Sequence, residues 1–137
     1  MAFLNNLVRV ARTERGQAMA EFALGAVAFF LAALGALHFA LAVHARHVTE
    51  TAAVEGARWA AVEPFDLDRG MERARTVLRQ GLGRWADSYT VEGQDQGDTV
   101  RIRVSGHYIF ALPFLGREDV PLTASAVARK EGFRPGP

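Results

Sequence analysis

The chain of 137 residues contains no cysteine. It therefore has no disulfide and no thiolate metal site, and it does not record the redox character of its compartment. Charge is missing from one long stretch: Phe22 to Ala45 holds no Asp, Glu, Lys or Arg. Catalytic signatures are missing as well. His38, His44, His47 and His107 are the four histidines, and they form no HExxH pair. Ser88, Ser105 and Ser125 have no nucleophile-elbow setting. Gly81-Leu82-Gly83 lacks a later glycine, a lysine and a preceding strand, so it is no phosphate loop. His44, His47 and Glu50 fall at helical spacing, which suits a metal in principle. No further ligand accompanies them, and a wet helix surface accounts for them better. His38 stands inside the uncharged run, and one histidine in one span makes no proton pathway. These absences argue against an enzyme and against a bound cofactor or metal.

What charge there is lies asymmetrically. The first 16 residues carry Arg9, Arg12 and Arg15 against Glu14. From Arg46 onward, 13 basic residues balance 13 acidic ones. A balanced soluble part exerts no long-range pull on phosphate, so nucleic acid is not an expected partner.

The uncharged run is 24 residues long. As a helix it spans about 36 Å at 1.5 Å per residue, against a bilayer hydrocarbon core of about 30 Å. One transmembrane helix is expected, its membrane part at about residues 22–45. The three leading arginines place the N-terminus in the cytoplasm and residues 46 onward outside. A cleaved signal peptide is the competing reading, with Ala40-Leu41-Ala42 as its small-x-small site and a secreted binding module as its product. Its apolar core would exceed the usual length of roughly 7–15 residues, and Glu21 stands at its entrance. An unprocessed single-span scaffold or sensor is a third reading.

Within the span, Ala28, Ala32, Ala36 and Ala40 recur every four residues. Small side chains let helices approach closely in lipid, so this stripe is a candidate packing face. Beyond the span the helix is expected to continue to about Val62 and to end before Pro64. Val48, Ala52, Gly56 and Trp59 share one face of it, while His47, Glu50, Glu55 and Arg58 lie elsewhere. Gly56 costs roughly 1 kcal/mol in a helix relative to Ala, which close backbone contact would justify.

The remaining chain predicts a small α+β head. Asp66 is positioned to cap a second helix running to about Gly81 or Gly83. Its buried stripe is Met71, Ala74, Leu78 and Leu82; Arg69, Arg73 and Arg79 read as solvated. Strands are expected at Ser88–Glu92, Thr99–Phe110 and Val120–Arg129, forming an antiparallel meander with helices on one face. Gly93 to Asp98 reads as a turn. The apolar connection from Ile109 to Leu115 has two readings, a partner- or membrane-facing loop and a segment folded onto the core. Arg134 to Pro137 reads as a frayed tail.

Arg15-Gly16-Gln17-Ala18-Met19-Ala20-Glu21-Phe22 resembles the type IV prepilin cleavage motif, in which a prepilin peptidase cuts after the glycine on the cytoplasmic side. With the apolar helix and Glu55-Gly56-Ala57-Arg58-Trp59-Ala60-Ala61, it resembles the TadE-like family of pseudopilins from tight-adherence (Tad, Flp) pilus systems. Val27 stands near the place where that family often has proline. The resemblance implies a leader at 1–16, an N-terminal helix at 17–62, a periplasmic pilin-like head at 63–131 and a tail at 132–137. It implies processing between Gly16 and Gln17 by a prepilin peptidase, and assembly through Glu21 and Phe22. The implied partners are other pilin or pseudopilin subunits and inner-membrane pilus assembly proteins. The implied role is a minor subunit or assembly factor serving adhesion or export, in a bacterial inner membrane. Glu21 alone fits equally a carboxylate resting at the headgroups near the positive end of the helix dipole.

Overall fold

The computed structural model describes the backbone of residues 2–112 and 116–132 and the side chains of residues 16–111 and 116–132. The element order is α1 (Ala2–Ala61), α2 (Leu67–Leu82), a 3₁₀ turn (Gly83–Ser88), then β1 (Thr90–Asp95), β2 (Thr99–Leu112) and β3 (Gly116–Arg129). The chain is α+β as expected, with a long N-terminal apolar helix, a second helix and a three-stranded antiparallel sheet. It divides into two compact units, residues 1–38 and residues 39–137.

The first unit is helical throughout its described part, and its apolar side chains are largely exposed: Phe22 is 78% and Phe39, just past its end, 71% accessible. Near its N-terminus α1 is long and apolar enough to cross a membrane, and that stretch is not buried by protein. Exposure of this kind is unfavourable in water and favourable in lipid.

In the second unit, α1 stops at Ala61, just ahead of Pro64. Asp66 caps α2 as expected: its carboxylate accepts from the backbone N–H of Asp68 (2.9 Å) and Arg69 (3.2 Å). Gly83 closes α2 at φ 60°, its N–H donating to the Arg79 carbonyl. Gly70, Ala74 and Leu78 are buried, with Met71 and Leu82 partly buried against the same core.

The sheet has the order β1-β2-β3. Ile102 faces Ala126 and Val104 faces Ala124 across one ladder, and Val91 faces Val104 across the other. The core consists of Ala52, Ala53 and Ala57 from α1, Ala74 and Leu78 from α2, Ala86 from the 3₁₀ turn, and Val91, Ile102 and Val104 from the sheet. Its helical contributors are mostly alanine, so the helices approach the sheet and each other closely.

Three expectations are corrected. β1 lies at Thr90–Asp95 rather than Ser88–Glu92. Ser88 belongs to the 3₁₀ turn, where its hydroxyl donates to the Trp85 carbonyl (2.9 Å). Gly93 is a strand residue because Leu67 and Met71 pack directly over it. The turn is tighter than expected and sits at 96–98, where the Asp95 carboxylate accepts from Gly97 N–H (2.9 Å). Second, β2 runs to Leu112 and β3 begins at Gly116, so most of the expected connection is ladder, paired as far as Leu112↔Gly116. Third, the buried face of α1 is broader than expected: Ala45, Thr49, Ala52, Ala53, Gly56, Ala57, Ala60 and Ala61. Trp59 is displaced to its rim and is 41% exposed. The expected tail at Arg134 to Pro137 lies outside the described residues.

Candidate functional site

The proposed processing and assembly residues occupy an unobstructed helix surface. Gly16, Gln17, Glu21 and Phe22 are all exposed. A Cβ added at Gly16 would meet nothing within 4 Å. Gln17 and Glu21 are one helical turn apart, and the Gln17 side-chain amide donates to Glu21 Oε1 at 3.1 Å. The carboxylate thus already has a donor contributed by residue 17, although from the side chain. Ala28, Ala32, Ala36 and Ala40 are exposed. Phe29 and Phe30 meet edge to face with centroids 5.7 Å apart.

Glu55, Gly56, Ala57 and Arg58 do a different job. Glu55 is an ion-pair partner of α2: Arg73 Nη2 lies 3.1 Å from its Oε2. Both side chains are about one-third exposed. The arginine expected to be solvated is therefore half-buried in a seam, and Glu55 is part of that seam. Gly56 lies under Gly70 of α2: a Cβ there would stand 2.9 Å from the Gly70 carbonyl oxygen and 3.0 Å from Ala74 Cβ. The expected close backbone contact is present. Ala57 is 1% exposed and belongs to the core, while Arg58 points to solvent. Trp59 completes the seam from outside, its ring 4.9 Å from the Arg69 guanidinium and 5.3 Å from that of Arg73. The segment is a docking surface that joins the head to α1.

Thr49 was not singled out by the sequence, yet it is 1% exposed. Its hydroxyl donates to the Ala45 carbonyl at 2.7 Å and meets the Tyr89 phenol. Burial raises the Tyr89 pKa, and the hydrogen bond with Thr49 partly opposes that. A threonine one helical turn from alanine carries no mark of this role; only the tertiary placement of Tyr89 reveals it.

The histidines near the membrane edge separate. His44 Nε2 lies 3.1 Å from the Gly81 carbonyl oxygen, whereas His47 Nδ1 lies 3.9 Å from Glu50. Glu50 pairs more closely with Arg46, at 3.0 Å. Among the described residues no group of three or more His, Asp or Glu side chains is arranged to hold a metal. The sheet's outer surface has a groove of about 410 Å³ lined by Glu92, Gly93, Gln94, Arg101 and Arg103.

No curated protein and no solved structure gives a match to this chain. The model of the TadE-like protein family matches residues 16–58, about a third of the chain, beginning at the proposed cleavage glycine and ending inside the docking seam. Over that span the chain is similar to the TadE-like family.

Proposed function

We propose that the protein is a minor pilin-like subunit or assembly factor of a Tad-type pilus or a related export machine, and that it carries no catalytic activity. The observation that supports this best is the combination within residues 16–58: a glycine with open surroundings, a glutamate five residues later, an exposed apolar helix and a docked head. On this reading the N-terminus is cytoplasmic and the head is periplasmic. A prepilin peptidase cuts after Gly16, and the helix remains with the mature chain.

The cut creates an α-amine on Gln17. In a filament, apolar helices pack together and exclude water, and the Glu21 carboxylate of one subunit then needs a cation. The Gln17 amine of a neighbour supplies it. A buried carboxylate left without its partner costs several kcal/mol, so the pair fixes the axial register between subunits. The exposed Ala28, Ala32, Ala36 and Ala40 provide a smooth face for that packing.

The test is the mass of the mature N-terminus, from membranes of cells with and without the peptidase. A chain beginning at Gln17 only when the peptidase is present supports the proposal. An intact leader in both strains overturns it in favour of an unprocessed single-span protein. A start near Val43 overturns it in favour of a secreted module.

A further inference from the structure

Two surfaces of the second unit carry opposite charges that the chain leaves unpaired. The first is the outer face of the sheet. Val100, Ile102 and Val104 are buried, so the alternate residues of β2 face away from the helices. Arg101 and Arg103 are neighbours on that face, and Arg129 joins them from β3, opposite Thr99. Arg101 and Arg103 line the groove of about 410 Å³ with Glu92, Gly93 and Gln94. Among the described residues none of the three arginines forms an ion pair, and Glu92, directly opposite Arg103, does not reach it. Nε of Arg101 is buried without a hydrogen-bond partner. A guanidinium drawn partly out of water with no acceptor against it is unfavourable, and an incoming carboxylate offsets that cost. Beside the arginines the face is open: Val127, opposite Arg101, is 52% exposed.

The second surface is the tip where α1 turns into α2. From Trp59 to Asp68 the chain has three acids, Glu63, Asp66 and Asp68, and no base. Asp66 is committed to the cap of α2. Glu63 and Asp68 form no ion pair among the described residues. Lys130 lies 5.5 Å from the Phe65 ring, but its ammonium is already held by Asp95 at 2.7 Å. Val62 and Phe65, each 43% exposed, stand among these acids. The Glu131 N–H to Ala61 carbonyl bond fixes one end of the loop and the Asp66 cap the other, so little ordering is needed on binding. Elsewhere the acids of the head stand beside arginines: Glu72 with Arg75 and Arg79, Asp119 with Arg117, Glu50 with Arg46.

The two surfaces complement each other, acids around an exposed aromatic ring against arginines around an exposed valine. They do not pair within one chain, which leaves a second copy as the occupant. Because the surfaces differ, the contact is heterologous. Each copy offers one tip and one face, and the contact passes from copy to copy instead of closing on a two-fold axis.

We propose that the acidic α1–α2 tip of one copy docks on the arginine face of the next, with Glu63 and Asp68 against Arg101 and Arg103, and Phe65 against Val127. The proposal rests on the reading of the chain as a subunit, which supplies the neighbouring copies.

The lack of cysteine permits a direct test. Two full-length copies with different tags are co-expressed in bacterial membranes, with and without a prepilin peptidase. One carries Phe65→Cys and the other Val127→Cys, and a short thiol-to-thiol cross-linker is expected to join them as a mixed dimer. Arg101→Glu/Arg103→Glu in the Val127→Cys copy should lower the yield several-fold, and so should Glu63→Lys/Asp68→Lys in the Phe65→Cys copy. The two reversals together should restore it. Absence of the mixed dimer, a yield that neither reversal moves, or a combination that stays as low as the single reversals overturns the proposal. A Val127→Cys copy that cross-links only to itself or to a different protein overturns it in favour of another occupant. The N-terminal mass of the same samples separates this from the pilin route. A chain cut after Gly16 that gives no mixed dimer overturns the contact alone. A charge-dependent mixed dimer whose leader stays intact beside the peptidase supports the contact and overturns the cleavage.

Discussion

The closest contact between α1 and α2 is made by glycines, and adding one methyl group there tests the account of the docking seam. A Cβ built on Gly70 would lie 2.5 Å from Ala60 Cβ and 2.6 Å from the Gly56 carbonyl oxygen. Both gaps fall short of ordinary contact, and both obstacles belong to the backbone or lie next to it, so no rotamer change relieves them. Gly70→Ala has two opposed effects. Helix propensity favours alanine by about 1 kcal/mol. Overpacking a filled interface costs about 1–3 kcal/mol. The net expectation is destabilisation by about 1 kcal/mol, which for a unit of this size lowers Tm by roughly 4–8 °C.

The measurement is thermal or urea unfolding of the full chain in detergent, followed through Trp59 and Trp85 fluorescence. Gly81→Ala is the companion. Its Cβ would meet both γ-methyls of Val48, 2.6 and 2.7 Å away, and a helical valine has one strongly preferred χ1 rotamer, so it should be destabilised to a similar degree. Gly56→Ala, with a closest obstacle at 2.9 Å, should lose less. Ala60→Gly in the Gly70→Ala background should recover part of the loss. A Tm that rises in Gly70→Ala would refute the reasoning, because it would mean that propensity acts unopposed and that the helices are not in contact at these glycines.

The sequence carried the elements that local rules specify. The uncharged run from Phe22 to Ala45, the Asp66 cap and the α2 stop at Gly83 are each set by a few neighbouring residues, and each is found where expected. The long alternation from Val100 onward also holds. The strand ends at Gly93 and at Ala111 and Leu112 were misplaced for a common reason. Glycine and proline mark turns when nothing overrides them. Here Leu67 and Met71 over Gly93, and the partner strand beside Ala111 and Leu112, override the local signal. The α1 face was read too narrowly because Ala45, Ala53, Ala57 and Ala60 are not bulky enough to stand out as apolar.

Gly16, Gln17 and Glu21 stand together in the chain, so that part of the candidate site could be named from local residues alone. The site was illegible where the partner is distant. Nothing near Glu55 announces Arg73, 18 residues away, and Trp59 looks like a core residue until Arg69 and Arg73 are seen over its ring. The segment from Glu55 to Arg58 resembled a functional motif and proves to be the place where the head is fastened to the helix.

Three further outcomes follow from the same seam and its surroundings. Arg73→Ala should cost about 1 kcal/mol, the scale of a partly exposed pair, and should red-shift Trp59 fluorescence by removing one of its two cations; an unchanged spectrum would refute that placement. Lowering the pH should loosen the far end of the sheet. The Lys130 hydrogen bond, followed by that from Gly97 N–H, holds the Asp95 carboxyl below its ordinary value of 3.8. A depressed carboxylate contributes stability above its unfolded-state pKa and loses it as pH falls through the folded value. Stability of the natural chain should therefore drop more steeply than that of Asp95→Asn below about pH 4, and parallel curves would refute the linkage. The last outcome concerns which residues make up the head. α1 supplies Thr49, Ala52, Ala53, Ala57, Ala60 and Ala61 as fully buried side chains, and Glu131 N–H ties the end of β3 to the Ala61 carbonyl at 3.1 Å. Without that helix, Ile102, Val104 and Leu78, each at most 1% exposed, would lose the surface that covers them. A chain of fewer than about 75 residues has little core to spare. A fragment starting at Arg46 should then unfold cooperatively with dispersed amide signals, whereas one starting at Glu63 should not fold. Equal stability of the two fragments would show that the head folds without the helix, and that the glycine contact and the Glu55–Arg73 pair join two finished parts rather than complete one core.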